Sequence, residues 1–376
     1  MRVADVIDLI EGWYPPHRAE DWDAVGLVCG DPDAEVRTVL LAVDPVLAVA
    51  DEAVALDADL LVVHHPLYLK GTTTVAASTP KGRVVHRLLG AGCGLLTAHT
   101  NADSPTGGVS AAIASALGLL DVVPLEPDPL SPRDKLVVFV PITHADAVRS
   151  ALTEAGAGRI GDYDSASFTS PGEGRFRPLP GSNPTIGSIG DLEVVEEVRI
   201  EVIADRHLRG DLVSAMIAAH PYEQPAYDVF ELVDLPDADC GSGRIGRLPE
   251  PITLRAFAEA AAAVFPTTAI GLRVAGDPDR LVETVALCGG SGDFLLDRAR
   301  AAGADVYVTS DLRHHPASES MEAAQVYGGP ALVDVAHSAA ESLWLPVLRD
   351  RLVDSLGDTV AVHISTATTD PWTFRV

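Results

Sequence analysis

At 376 residues, 47% of them hydrophobic and 22% charged, the chain is too long for one ordinary core and has the balance of a globular protein with about two domains. Its formal net charge of −27 argues against non-specific binding to nucleic acid or to an anionic membrane, since both need a basic surface. No run approaches the roughly 18 apolar residues of a membrane span, and the N-terminal MRVADVIDLIEGWYPP shows helical periodicity in place of a signal peptide's apolar core, so a cytoplasmic protein is expected.

Residues 3–13 predict an amphipathic helix, stopped by Pro15 and Pro16. A loop carrying DWDAVGLVCG follows, then a strand, VLLAVD, at 39–44. Residues 45–56 read as a helix with Val46, Val49, Ala50, Ala53 and Val54 on one face. ADLLVVHHP at 58–66 is a buried apolar run stopped by His64, His65 and Pro66. A helix over 80–91 leads to GLLTAHTNAD, a strand ending at His99. Buried strands alternating with helices imply a parallel-rich sheet in an α/β fold. The four cysteines, Cys29, Cys93, Cys240 and Cys288, have no CxxC spacing, so neither a zinc knuckle nor a disulfide framework is expected.

From Leu130 to Cys240 the texture changes. KLVVFVP reads as a strand, THADAVRSALTEAGA as a helix and DYDSASF as a strand. After the Gly/Pro-rich TSPGEGRFRPLPGSNPTIGSIG come EEVRIEVIAD, the helix LRGDLVSAMIAAH and AYDVFELV. Twice β-α-β is the split, ferredoxin-like order, so an α+β domain over 130–240 is expected inside a core made of 1–129 and 241–376. GSGRIGRL at 241–248 reads as the return linker; no strand is expected to run into it and no GK[ST] follows, so it is a weak phosphate loop.

The second half repeats the first. TVALCGG at 284–290, a helix over 293–302 and GADVYVTSDLRHHP align with the earlier series, a helix to about residue 326 follows, and ALVDVAHSAAE matches GLLTAHTNAD. The core is therefore expected to be a two-lobed, internally repeated sheet structure.

Polar residues just past the carboxyl ends of parallel strands converge on the ligand crevice of such sheets. His64 and His65, His99 and Asp103, and His337 and Glu341 all stand there. Adjacent residues leaving a strand point in opposite directions, so two neighbouring histidines can each serve a different ion. His337 and Glu341, four apart on a helix, share a face, and a carboxylate can bridge two ions. Imidazole and carboxylate without thiolate suit zinc, iron, manganese or cobalt alike. His17, His86, His144, His207 and His220 read as ordinary structural histidines.

DWDAVGLVCG, LLVVHHPLYLK, LTAHTNAD, GSGRIGRL, GADVYVTSDLRHH and LVDVAHSAAE, in that order, resemble the GTP cyclohydrolase I type 2 homologues, or Nif-three-like family. The resemblance covers nearly the whole chain, and 130–240 is similar to the PII-like or CutA-like insert of longer bacterial members. It implies two divalent ions per subunit, one held by His64, Asp103 and Glu341, the other by His65, His337 and a bridging Glu341. It also implies a toroidal homohexamer and hydrolytic opening of the GTP imidazole ring, with His99 or Asp311 moving protons or orienting a ligand. Ala336 and Ser338 stand where the family usually has a glycine and an aromatic, and Thr309-Ser310-Asp311 where TGD is usual; no proposed ligand is lost. A hydrolase of another nucleotide or phosphoester, and a non-catalytic metal-binding or regulatory scaffold, are the competing readings, because the sequence shows no basic cluster beside the site.

Overall fold

A computed structural model describes residues 1–129, 132–233 and 236–376. Val3, Val6, Ile7 and Ile10 recur at helical spacing and are all buried, which forms α1 (Val3–Trp13); Asp5 closes its N-terminus by accepting from the Arg2 backbone N–H at 2.8 Å. There follow β1 (Gly26–Cys29), β2 (Thr38–Ala42), α2 (Leu47–Ala55), β3 (Leu60–Val63), α3 (Pro80–Gly90) and β4 (Gly94–Thr97), then α4 (Thr100–Asp103), α5 (Val109–Ala116) and β5 (Leu120–Pro129). The middle of the chain forms β6 (Arg133–Pro141), α6 (Ala145–Glu154), β7 (Ser167–Phe176), β8 (Glu193–Asp205), α7 (Arg209–Ala219) and β9 (Tyr227–Glu231). The last third forms β10 (Pro236–Thr253), α8 (Leu254–Val264), β11 (Arg273–Ala275), β12 (Leu281–Ser291), α9 (Leu296–Ala301) and β13 (Val306–Ser310). It ends with α10 (His314–Tyr327), β14 (Ala331–Val335), α11 (His337–Glu341), α12 (Trp344–Leu356) and β15 (Ala361–Ile364).

Two compact units result: Met1–Asp128 with Ala238–Val376, and Pro129–Asp237. Leu130, where the sequence reading starts the middle segment, lies outside the described residues. The larger unit holds two sheets. One runs β1-β4-β3-β2-β15, parallel except for β1; the other runs β11-β14-β13-β12-β10-β5, with β12, β13 and β14 parallel and β11 antiparallel on the edge. In each, three parallel strands joined by helices end beside an antiparallel edge strand, so the repeat read from the sequence is present in the topology. All four residues of β3 and of β4, and all five of β13 and β14, are buried, as strands covered on both faces must be. Each fully buried aliphatic side chain contributes roughly 1.5–3 kcal/mol. Leu41, Leu60 and Leu96 of one sheet share a single core with Val285, Val306 and Val333 of the other, around the fully buried Trp344.

The smaller unit has the order β-α-β-β-α-β and one antiparallel sheet, β7-β8-β6-β9. Two expectations fail in detail. DYDSASF contributes only its last two residues to β7, and the strand instead runs on through SPGEGRF, where Ser167–Phe176 pairs with Val202–Glu193. Glycine and proline there pointed to a loop, but an edge strand pairs on one side only and tolerates both. GSGRIGRL is not a linker either: it lies within β10, pairing Arg244–Arg247 with β12. Its glycines serve close approach, since a Cβ on Gly241 would stand 2.3 Å from the Glu126 carbonyl oxygen. Among the described residues no helix is long and apolar enough to cross a membrane.

Candidate metal centre

Strand register sets the site. Val63 pairs with Thr97, so His64 leaves β3 level with Ala98 leaving β4; Ser310 pairs with Val335, so Asp311 leaves β13 level with Ala336. Asp103 follows on α4, and His337 and Glu341 begin and end α11. Glu341, only 2% exposed, joins residues from the ends of both sheets: Oε1 lies 3.5 Å from His64 Nε2 and 2.8 Å from His337 Nε2, and Oε2 lies 3.0 Å from His65 Nε2. Asp103 Oδ1 is 3.5 Å from His64 Nε2. His65, His337 and Glu341 are thus drawn close together, with His64 3.5 Å from both Glu341 and Asp103, and Asp103 standing outside the tightest groups of donors.

Each imidazole is held by its other nitrogen. His64 Nδ1 donates to the Ala98 carbonyl at 3.0 Å, His65 Nδ1 to Asp44 Oδ1 at 2.7 Å, and His337 Nδ1 to Asp311 Oδ2 at 2.7 Å. Anchoring Nδ1 in this way turns every Nε2 inward, the arrangement that metal-binding histidines adopt. His99 Nδ1 donates to Asp23 Oδ1 at 2.8 Å, and its other ring nitrogen faces His64 and His65. Two groups of side chains have donor atoms close enough to share an ion, His64 with His65 and His99, and His65 with His337 and Glu341.

The donor set fits a cation. His64 Nε2 and Asp103 Oδ1 are both buried without a hydrogen-bond partner, a costly state that a bound cation would relieve. Gly290, at φ +66°, forms the cradle: a Cβ there would stand 2.8 Å from Glu341 Oε1 and 3.3 Å from His337 Nε2. Charge follows the same plan. Burial opposes ionisation of Glu341, yet His64, His337 and His65 hold its carboxyl well below the usual range. Burial likewise opposes the protonated rings, but Asp44 and Glu341 carry His65 up to about 10, and Glu341 and Asp311 carry His337 up to about 9. Asp103 is pushed up to about 7 by burial, which outweighs the attraction of His64. Its side chain is 31% open overall, but the inward Oδ1 is enclosed. Protons here do the work that a metal does better: they neutralise carboxylates that the fold has buried.

A family model, Duf34/NIF3 (NGG1p interacting factor 3), matches residues 1–371. The chain belongs to this family. It is similar to the GTP cyclohydrolase 1 type 2 homolog of Mycobacterium tuberculosis, at 51% identity over 99% of this chain and 97% of the relative, and to that of Bacillus subtilis, at 36% over 98% and 97%. Among solved structures it resembles a Bacillus cereus protein related to NIF3, at 38% identity and TM-score 0.73, covering 100% of this chain and 99% of that one.

Within this Duf34/NIF3 chain, sequence reading passed over Asp23 and Asp44. Burial opposes Asp23, yet His99 and Thr100 hold it well below the usual carboxylate range, and Thr100 Oγ1 donates to it at 2.5 Å. The signal was present: Asp23 lies inside DWDAVG, and Asp44 follows β2 where polar residues were already sought. The second His-His-Pro is placed elsewhere. His314 and His315 open α10 and are exposed, and the position that follows β13 belongs to Asp311.

Proposed function

We propose that the protein is a dinuclear divalent-metal hydrolase acting on a nucleotide or related small molecule, with His64, Asp103 and Glu341 on one ion and His65, His337 and Glu341 on the other. The observation that carries this is Glu341, a buried carboxylate with both oxygens among three inward-turned imidazoles. Two ions so held would supply Lewis-acid polarisation and a water made acidic at neutral pH. Asp44 and Asp311 keep the protons of His65 and His337 on Nδ1, so that Nε2 stays available. His99, backed by Asp23, can hold or pass a proton at its free nitrogen beside the same cavity.

That cavity encloses about 460 Å³, within the range of small-molecule sites, and is rimmed by Trp22 and Phe294, 58% and 64% exposed. Exposed aromatic rings beside a polar floor suit a flat heterocycle, which supports a nucleobase-bearing substrate; the relatives' name points to GTP. The β-α-β-β-α-β order of Pro129–Asp237 supports a PII/CutA-like insert, and the family resemblance supports a homohexamer. Four free thiols fit a reducing cytoplasm. The test is elemental analysis of the purified protein with a turnover screen of GTP, other nucleotides and phosphoesters. Two ions per chain and hydrolysis that Glu341→Ala abolishes are expected; a metal-free chain, or turnover unchanged in Glu341→Ala, overturns the reading.

A further inference from the structure

His65 is a wall shared by three cavities: the one that holds the candidate ligands, a smaller one toward Asp370, and a third between α2 and α3. The third is the largest, about 550 Å³, and its chemistry is different. Lys81 and Arg83, from the first turn of α3, line one side; Val46 and Leu47, each 40% exposed, line the other; Asp44 and His65 close the end nearest the candidate ions.

Among the described residues the two cations belong to the minority of basic side chains that no carboxylate pairs. Acidic residues outnumber basic ones 54 to 27, only three lysines are present, and most arginines have a carboxylate partner. Among the described residues neither Lys81 nor Arg83 has one. Lys81 Nζ stands 5.7 Å from the centre of the Tyr68 ring, and Arg83 Nε donates to the Ala77 carbonyl at 3.0 Å, so each is positioned while its charge stays unneutralised. Keeping two cations unpaired in a protein this acidic leaves a charge for something else to match, and Val46 and Leu47 leave apolar surface for something else to cover.

We propose that this cavity is a binding subsite for a phosphate ester, whose phosphate meets Lys81 and Arg83 and whose apolar body lies on Val46 and Leu47. Arginine's planar fork pairs with phosphate oxygens two at a time, and a lysine beside it meets the remaining charge of a group carrying about −1.5 to −2 at neutral pH. The inference deepens the hydrolase proposal and rests on it for one point, that the reacting end of the ligand extends past His65 toward the ions.

Titration calorimetry tests it, with phenyl phosphate and inorganic phosphate as probes, on the protein as purified and after chelator treatment. Phenyl phosphate is expected to bind in both states and more tightly than inorganic phosphate, because its ring covers the apolar wall. Lys81→Glu and Arg83→Glu, exposed changes that leave folding and metal content as they were, are expected to weaken it by about tenfold or more each, as loss of a hydrogen bond to a charged group does. Lys81→Arg is expected to keep most of the affinity. Equal affinity in wild type and Lys81→Glu, tighter binding of inorganic phosphate, or binding that vanishes with the metal would each overturn the subsite. A preparation that proves metal-free but still binds phenyl phosphate through Lys81 would sink the hydrolase reading and leave the subsite standing.

Discussion

The chain contains His-His-Pro twice, and the two copies live in different worlds. In the first lobe His64 and His65 leave the end of β3, His64 at 1% exposure, with Pro66 directing the chain into a loop. In the second lobe Pro316 sits in the first turn of α10, where a missing N–H costs nothing, and His314 and His315 point to solvent with ring centres 5.2 Å apart. The tripeptide is the same; its distance from the strand end is not. In the second lobe three residues, Asp311, Leu312 and Arg313, separate β13 from the histidines, and it is Asp311, at φ +53°, that stands at the strand end and holds His337. A candidate site here is a property of position along a parallel strand, and the motif matters only where it coincides with that position.

The largest effect that tests this contrast is expected from Glu341→Ala. On the proposed two-ion reading, a bridging carboxylate would contribute a bond and neutralising charge to two cations at once, and its loss would leave them repelling each other across a short gap from which water is excluded. Metal content should fall to background. His64→Ala and His65→Ala should each weaken chiefly one ion, giving an intermediate count in elemental analysis. An unchanged count in Glu341→Ala would mean that the carboxylate is only a buried partner of three histidines.

Gly290→Ala probes the same carboxylate without touching a donor. The added methyl would stand 2.8 Å from Glu341 Oε1, and the φ of +66° is one that alanine adopts at a cost of about 1–2 kcal/mol. Both a lower melting temperature and weaker metal binding are expected. If only stability changes, Gly290 answers to the backbone turn and is no cradle.

How far these features could be read beforehand follows from their physics. The strands that carry the candidate residues were legible, because four or five consecutive buried apolar residues between helices admit few other readings. The Glu341–His337 pairing was legible from a spacing of four on a helix. Asp23 was only half legible: it stands inside DWDAVG, but its loop has no periodicity and its partners His99 and Thr100 lie more than seventy residues away. β7 was hidden by Pro171, Gly172 and Gly174, and β10 by the glycines of GSGRIGRL, whose reason for being there, the nearby Glu126 carbonyl, exists only in three dimensions.

The acid–base behaviour of the site gives a further, smaller effect. His65 and His337 have folded values raised to about 10 and about 9 from 6.5, so the stability they lend the metal-free protein is complete below about pH 6.5 and is lost as pH rises through 9 to 10. Asp103, raised from 3.8 to about 7, has the same sign and loses its contribution across that lower window. Metal-free protein should therefore become less stable from about pH 5 to 10. Bound metal should displace about two to three protons per chain at pH 7 and reverse the trend. Melting curves with and without chelator, and calorimetry in buffers of different ionisation enthalpy, measure both; a flat profile without metal would contradict the charge pattern around Glu341.

The smallest effect is expected at the other His-His-Pro. His314 and His315 occupy the first turn of α10, a helix with no buried residue, and neither ring meets a carboxylate among the described residues. Alanine is the better helix former by up to about 0.7 kcal/mol. His314→Ala and His315→Ala should therefore leave metal content untouched and shift stability by no more than about 0.7 kcal/mol, with any change favourable. Arg313, which pairs with Asp293 just before them, is not disturbed by either change. Loss of metal in His314→Ala would move the second motif into the site and undo the distinction between strand-end and helix-start histidines; a stoichiometry equal to wild type beside a depleted His65→Ala is the result that the two positions demand.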